Sequence, residues 1–402
     1  MLQSVLKNER LDRWMFWLLC LLAVSVSLSV AATNVAIGLL VPLALYRLWQ
    51  ESPDWRSVLD MDRGLFIWLG LFLFSALLST VTSPEIQKGA ATFANYYLYR
   101  MIPAAVVLLW VKEKKRLWIL TGLVMASIFF DAVITIGQAI AASSLVGRRF
   151  CGLVGYMAQA GLLSAAVPLL ALAVVWRGRR RWRFMVLLLL VVAIVALLLN
   201  GARGAWLAAA ITTVTVLAFV VRDCKQYLAG LGIAVLILGG IFTQVPHLEA
   251  RLETLTQANY QSNSERLLMW RSAFRMFQDH PLLGVGTGHY SYAYRTQYIL
   301  PEARERQQGH AHSNVMQMLG ERGALGVVSF CGMWFYFIAF SLRGWMRTHE
   351  IAYLAFFAIV LGVMLQGLTE YNMGTVVVSK TYWFSLAICL QWIALTRKER
   401  SV

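Results

Sequence analysis

Apolar residues in this chain come in long blocks separated by short polar stretches, rather than in the one-face stripes of a soluble helix. A helix needs about 20 apolar residues to cross a bilayer. Twelve stretches approach that length: Trp14 to Ala32, Asn34 to Trp49, Leu65 to Thr82, Ala91 to Val111, Leu117 to Ala141, Leu153 to Trp176, Phe184 to Asn200, Gly204 to Val221, Tyr227 to Val245, Val315 to Leu342, Ile351 to Glu370 and Thr375 to Leu395. The pattern predicts an all-α, polytopic integral membrane protein of about twelve transmembrane helices, with one long polar loop between the ninth and tenth spans. The predicted organisation is 1–245 for spans one to nine, 246–314 for the loop and 315–402 for the last three spans with a terminal tail.

The loop has its own periodicity. Ser262-Asn263-Ser264-Glu265 has the form of a capping box, and in ERLLMWRSAFRMFQD the residues Leu267, Trp270, Phe274 and Phe277 are spaced for one helix face. Arg266 falls among Trp270, Ala273 and Phe277, whereas Arg271 and Arg275 fall on the opposite side, where a solvated or headgroup-facing pair belongs. A charge on an apolar face has to be paired or turned to a ligand. Gly284, Gly286 and Gly288 in HPLLGVGTGHY predict a tight turn, and without a strand and crossover unit around it this is not a nucleotide loop. At the end of the loop Asn314 and Gln317 have capping-box spacing, so a helix begins there with His312 at its N-terminal end. Backbone N–H groups and the helix dipole disfavour imidazolium at such a position, which suits a residue that takes up a proton; a His beside a cap can equally serve turn hydrogen bonds alone.

Composition strengthens the membrane reading. Hydrophobic residues make up 59% of the 402 and charged residues 14%, against about 25% charged in soluble proteins. The formal net charge of +16 would suggest nucleic acid in a soluble chain, but its distribution says otherwise. With the N-terminus inside, the inside segments carry Lys7, Arg10 and Arg13; Arg47, Arg56 and Arg63; Lys112, Lys114, Lys115 and Arg116; Arg177 to Arg183; Arg222 and Lys225; Arg343 and Arg347; and Arg397, Lys398 and Arg400. Each is basic, as the positive-inside rule requires, so the charges are topology signals and no nucleic-acid partner is expected. Both termini then lie in the cytoplasm and the loop outside. The first apolar run lacks a small-residue cleavage site and reads as a retained span. The scattered Cys20, Cys151, Cys224, Cys331 and Cys389 predict neither a disulfide framework nor structural zinc.

Positive charge on the outer face is what the rule leaves unexplained. Arg203 in NGARGAW is flanked by glycines that allow close approach, and its guanidinium matches phosphate oxygens; snorkelling to headgroups is the competing account. Arg149 and Arg148 in RRFCGLVG form a rim for an anionic ligand or merely a turn. Arg100, flanked by Tyr96, Tyr97 and Tyr99, and Asp131 lie within candidate spans, where an ionisable group is functional unless it snorkels.

NGARGAW, SNSERLLMW with DHPLLGVG, and HSNVMQMLGERGALG together resemble the lipopolysaccharide O-antigen ligase family, which shares a superfamily with O-antigen polymerases and pilin-glycosylating oligosaccharyltransferases. In the family pattern H-N-x-x-L-Q-x-x-x-E-x-G-x-x-G, His312, Gln317, Glu321, Gly323 and Gly326 match, while Ser313 replaces Asn and Met316 replaces Leu. RRFCGLVGYMAQ is similar to R-x-x-G-x-x-x-N-P-N, with Arg149 and Gly152 matched and N-P-N replaced by Tyr156-Met157-Ala158. The resemblance implies an enzyme of the bacterial inner membrane, its site on the periplasmic side. Such an enzyme transfers O-antigen from undecaprenyl diphosphate to a sugar hydroxyl of lipid A-core with inversion, needing no cofactor, nucleotide or metal. It implies His312, Arg203 and Arg266 as catalytic residues. Arg149, Arg148, Arg271, Gln317, Glu321 and His310 are expected to bind substrate, with His280 and His289 structural or at the rim. A His310–His312 metal pair is not expected, because i and i+2 do not share a helix face. The alternatives are a polymerase or protein oligosaccharyltransferase with the same donor, a transporter or flippase, and a noncatalytic scaffold; absent repeats and few mid-bilayer charges speak against the transporter.

The topology is testable by reporter fusion: alkaline phosphatase joined near Gln257 is expected to be active, and an inactive fusion there would place the loop on the wrong side for this chemistry.

Overall fold

The computed structural model describes residues 2–53, 58–144, 148–176, 180–230, 232 and 261–401. Among them there are helices and loops and no strand. The helices used below are α1 (Leu2–Ser25), α2 (Val30–Gln50), α3 (Arg63–Val81), α4 (Ile86–Phe93), α5 (Ile102–Trp110), α6 (Lys114–Ala141), α7 (Tyr156–Val175), α8 (Arg180–Asn200), α9 (Arg203–Ala218), α10 (Gln261–Asp279), α11 (Asn314–Thr348), α12 (Ile351–Gln366) and α13 (Val376–Ser401). Eight helices among the described residues are long and apolar enough to cross a membrane. This is a multi-pass membrane protein. Helices are what apolar runs must form in lipid, where every backbone N–H and C=O has to be satisfied within the segment.

The predicted spans correspond to helices with three adjustments, and the ninth, Tyr227 to Val245, lies outside the described residues apart from its first few positions. The first span ends at Ser25 rather than Ala32, because Ser29 accepts from Ala32 N (3.2 Å) and caps α2. The fourth is broken: α4 passes into a π turn at Ala94–Leu98, a 3-10 turn at Tyr99–Met101 and then α5. Pro103 near the start of α5 has no N–H to continue the ladder, and the break carries Arg100 into the interior. The eleventh ends at Gln366, leaving 367–375 as a loop.

α7, α12 and α13 pack against one another at the centre, with α9 against α7 and α12, α5 against α13, and α3 against α11. A large apolar core runs through this bundle, and a smaller one, including Met269, Met276, Tyr290, Tyr294 and Ala311, joins α10 to the loop that follows it.

α11 is interrupted at Gly323 (φ 60, ψ −150). There the segment 281–286 lies alongside the chain like a strand partner, with Ala324 N donating to Pro281 O (2.8 Å), Leu325 N to Leu282 O (3.3 Å), Val285 N to Gly320 O (2.9 Å) and Gly286 N to Glu321 O (3.0 Å). A Cβ on Gly323 would stand 2.6 Å from Leu282 C and Pro281 O. Arg322, beside the break, is fully buried over the rings of Phe72 (4.9 Å) and Tyr97 (4.4 Å).

Gly323→Ala is therefore expected to cost ~1–3 kcal/mol in backbone strain, with the clash in addition, and to lower the thermal midpoint in detergent. Gly122→Ala, which meets nothing within 4 Å, is expected to leave it unchanged; equal midpoints for the two variants would refute the role of the kink.

Candidate functional site

The loop 367–375 between α12 and α13 is buried, so its polar groups need partners. Asn314, the first residue of α11, supplies several: its N donates to Gly367 O (2.7 Å), its Nδ2 to Asn372 Oδ1 (2.6 Å), and its Oδ1 accepts from Met373 N (3.2 Å). Asn372 donates in turn to Val363 O (2.8 Å) and to Gln366 Oε1. Arg100 donates to Met373 O (3.1 Å), Gly374 O (2.9 Å) and Ser379 Oγ (2.9 Å) and stacks on Tyr96 at 3.9 Å. Arg100 is thus an interior strut of this loop and does not snorkel.

What the clamp holds in place is Glu370, 3% exposed. Its two oxygens lie 3.1 and 3.0 Å from His312 Nδ1, and Oε2 lies 3.5 Å from an Arg266 Nη. Burial alone would push this carboxyl up, but the hydrogen bond from His312 and the neighbouring His312, His310 and Arg266 more than offset it, and Glu370 lies below the usual carboxylate range. A carboxylate only accepts, so His312 Nδ1 carries a proton, and in the neutral form of the ring the lone pair lies on Nε2. His312 has φ 47, a left-handed conformation unusual for a side chain of this size. Its N–H donates to His310 Nδ1 (3.3 Å), and the neighbouring Ala311 O accepts from Trp270 Nε1 (2.9 Å). Burial and the adjacent His312 take the His310 imidazole down to about 4, so it is neutral.

Arg203 reaches the same place from α9. It is buried and donates to Ser262 Oγ (3.1 Å) and Asn263 Oδ1 (2.7 Å), on the first turn of the helix that carries Arg266 one turn later. Gly204 lets the start of α9 approach the Glu370 loop: a Cβ there would stand 2.1 Å from Thr369 Oγ1. The structure therefore sets Arg266, His310 and His312 around Glu370, with Arg203 bonded to the first turn of the helix that carries Arg266.

Arg149 stands behind them. Its Nε donates to Asn200 O (2.8 Å) at the turn leading to Arg203, and its guanidinium lies 4.6 Å from the Tyr156 ring. Asn200 is fixed in turn by Tyr156 O (3.0 Å) and Gln159 Oε1 (2.9 Å), and Gln159 donates to Asp131 Oδ2 (2.7 Å). Asp131 Oδ1 accepts from Leu153 N (2.7 Å). The buried Asp131 thus ties the 148–155 loop to the Arg203 turn. Arg148 is exposed at an open cleft that it lines together with Arg149, Gln138, Cys151 and Tyr156.

The structure places several of these residues differently from the sequence expectation. Arg271 is exposed on the far face of α10, with Arg275. Gln317 and Glu321 face inward: Gln317 Oε1 accepts from Ala311 N (2.8 Å) and Glu321 Oε1 from Tyr290 N (3.2 Å), so both brace the loop from beneath. Neither capping box forms as expected: Ser313 caps α11 through Met316 N (3.4 Å), and Glu265 accepts from Arg304 N and Glu305 N (3.0 and 3.3 Å). The buried face of α10 is Glu265, Met269, Ser272, Ala273 and Met276, which packs toward α11, while Leu267 and Phe274 are exposed. The i, i+2 helix rule does not govern His310 and His312, since both lie in the loop before α11; their ring centroids are 4.3 Å apart, and ligand atoms of His310, His312 and Glu370 all lie within 4.8 Å of one another. His289 is buried and bonded to Ser83 Oγ (2.6 Å).

Glu370 is the residue that the sequence reading missed. Its signal was an acidic residue in T-E-Y-N at the close of an apolar run.

Residues 188–331 match the family model described as O-antigen ligase. Over this segment the chain is similar to the O-antigen ligase family. The matched segment includes Arg203, Arg266 and His312; Arg149 and Glu370 fall outside it. No curated protein matches the chain.

For the Asp131 network, Asp131→Asn keeps the shape but turns a donor toward Leu153 N–H or the Gln159 amide, leaving a buried polar group unsatisfied. Hydrogen exchange of the 151–153 amides is expected to quicken by about 10-fold or more while the core of α7 keeps its rate; unchanged exchange would refute the anchoring role.

Proposed function

We propose that the protein is a glycosyltransferase of the O-antigen ligase type, acting on the periplasmic side of a bacterial inner membrane. The donor is O-antigen on undecaprenyl diphosphate, and the acceptor is a sugar hydroxyl of lipid A-core. The observation that carries the reading is the array Glu370–His312 with Arg266 on the same carboxylate. In this reading His312 Nε2 takes the proton of the acceptor hydroxyl as its oxygen attacks the anomeric carbon. The bond from that carbon to the diphosphate oxygen breaks on the opposite side, with inversion. Glu370 holds the ring in the required tautomer and stabilises the imidazolium that forms, the role of the acid in a catalytic triad. Arg203 and Arg266 take up the charge that develops on the departing diphosphate, and Arg149 supports the turn that presents Arg203. No step calls for a nucleotide or a metal. The domain scheme of membrane helices flanking an outer loop is part of this proposal, the loop segment carrying Arg266 and His312 to the donor's head group.

The roles separate in a paired measurement of lipid diphosphate analogue binding and turnover on purified, folded variants. Arg203→Ala and Arg266→Ala are expected to weaken both, since a charge-assisted contact is lost in ground and transition states. His312→Ala should leave binding nearly intact and lower turnover by about 100-fold to 10,000-fold. Glu370→Gln should do the same, up to about 10,000-fold, because it favours the wrong tautomer. Arg271→Ala and Arg275→Ala, exposed on the far face of α10, should change neither. Loss of binding in His312→Ala with full activity in Arg266→Ala would sink these assignments. In a deletion strain, rough lipopolysaccharide with accumulated lipid-linked polymer is the result expected of a ligase, and a single attached repeat unit would indicate a polymerase instead.

A further inference from the structure

We propose that His310, His312 and Glu370 form a binding site for a transition-metal dication of the zinc type, and that filling it switches the transfer reaction off. The second half rests on the function proposed above; the first does not. The three side chains offer two imidazole nitrogens and a carboxylate oxygen, all within 4.8 Å of one another. His312 Nδ1 and Glu370 Oε2 are already 3.0 Å apart, close to the ~3.4 Å that separates two ligands on one tetrahedral zinc with bonds of about 2.0–2.1 Å.

The donor set selects the metal. Two nitrogens and one carboxylate suit zinc, copper or nickel, whereas magnesium and calcium require mostly oxygen ligands. Three protein ligands leave a fourth position for water, the usual arrangement of an open zinc site. Preorganisation is also present, since the ligands sit on two loops held by other bonds: Trp270 on Ala311 O for the histidines, Asn314 and Arg100 for the loop of Glu370.

The same geometry explains why occupancy is inhibitory. A neutral imidazole that binds a metal through Nδ1 keeps its proton on Nε2. Zinc replaces the hydrogen bond between His312 and Glu370, the ring proton moves from Nδ1 to Nε2, and the lone pair needed for the acceptor's proton is gone. Arg266, 3.5 Å from the same carboxylate oxygen, is displaced by the cation and loses its anchor. Its positive charge opposes the metal, so binding is reversible by a chelator rather than permanent.

The test uses the full-length protein in detergent, stripped with EDTA, with ZnCl2 and CoCl2 as probes. One zinc per chain by metal analysis, tetrahedral d–d bands on adding cobalt, and at least about 10-fold weaker zinc binding in both His310→Ala and His310→Gln are expected; the second replacement guards against a folding defect in the first. The stripped enzyme should keep full turnover, zinc should lower it at least 10-fold with reversal by EDTA, and magnesium should do nothing. The zinc response should persist in Cys224→Ser, which removes an exposed thiol. Unaltered zinc affinity in both His310 variants, or no stoichiometric zinc, overturns the site. An inactive stripped enzyme revived by zinc overturns the inhibitory role and the metal-free reaction together. Stoichiometric zinc lost in the His310 variants, in a chain with no transfer activity, upholds the site and removes the proposed function.

Discussion

A carboxylate sunk into the end of an apolar bundle cannot stand unpaired, and the placement of Glu370 governs much of what surrounds it. Its charge is sustained by His312 and Arg266, which approach from different elements, and its backbone is sustained by Asn314 and Arg100, which approach from two more. Breaking a buried pair by removing one partner costs about 3–5 kcal/mol, so each of these contacts constrains the others. The left-handed backbone at His312 and the broken helix around Arg100 are local conformations of poor intrinsic stability. Each serves this one carboxylate.

The glycine-rich segment has a related function in support. Gly284, Gly286 and Gly288 all have positive φ, and the segment they form lies along the interrupted α11, so that Glu321 can accept from Tyr290 N. Through Gln317 and Ala311 this layer is continuous with His312. The motif that reads as E-R-G before a span is therefore mainly architecture: an acid bonded to a loop, an arginine stacked on aromatic rings, and a glycine where no side chain fits.

The parts of this design that were legible in the sequence were those set by local rules. Apolar runs gave the helices, and the odd placement of Arg266 on its helix face pointed to the half-buried residue that pairs with Glu370. The capping boxes were misread because Glu265 and Gln317 are spent on chain segments that helix geometry does not bring near. Glu370 was invisible for a similar reason: the end of α12 is fixed by Asn314, more than 50 residues earlier, and no periodicity records such a contact. Helix periodicity already set Arg271 opposite Arg266, whereas the half-burial of Arg149 beside an exposed Arg148 is seen only in the packing.

The backbone rungs between 281–286 and 320–325 have a mechanical consequence. They splint the outer segment to α11, so that the two move as one lever and any opening must take place elsewhere along the chain. Residues 306 and 307 are exposed and lie just beyond the amides held by Glu265. Extra residues can be accommodated there without disturbing the register at the kink, whereas an insertion between Leu282 and Val285 would put the rungs on its two sides out of register with each other. Variation in loop length is thereby channelled to one edge of the site, while the cluster around Glu370 stays fixed.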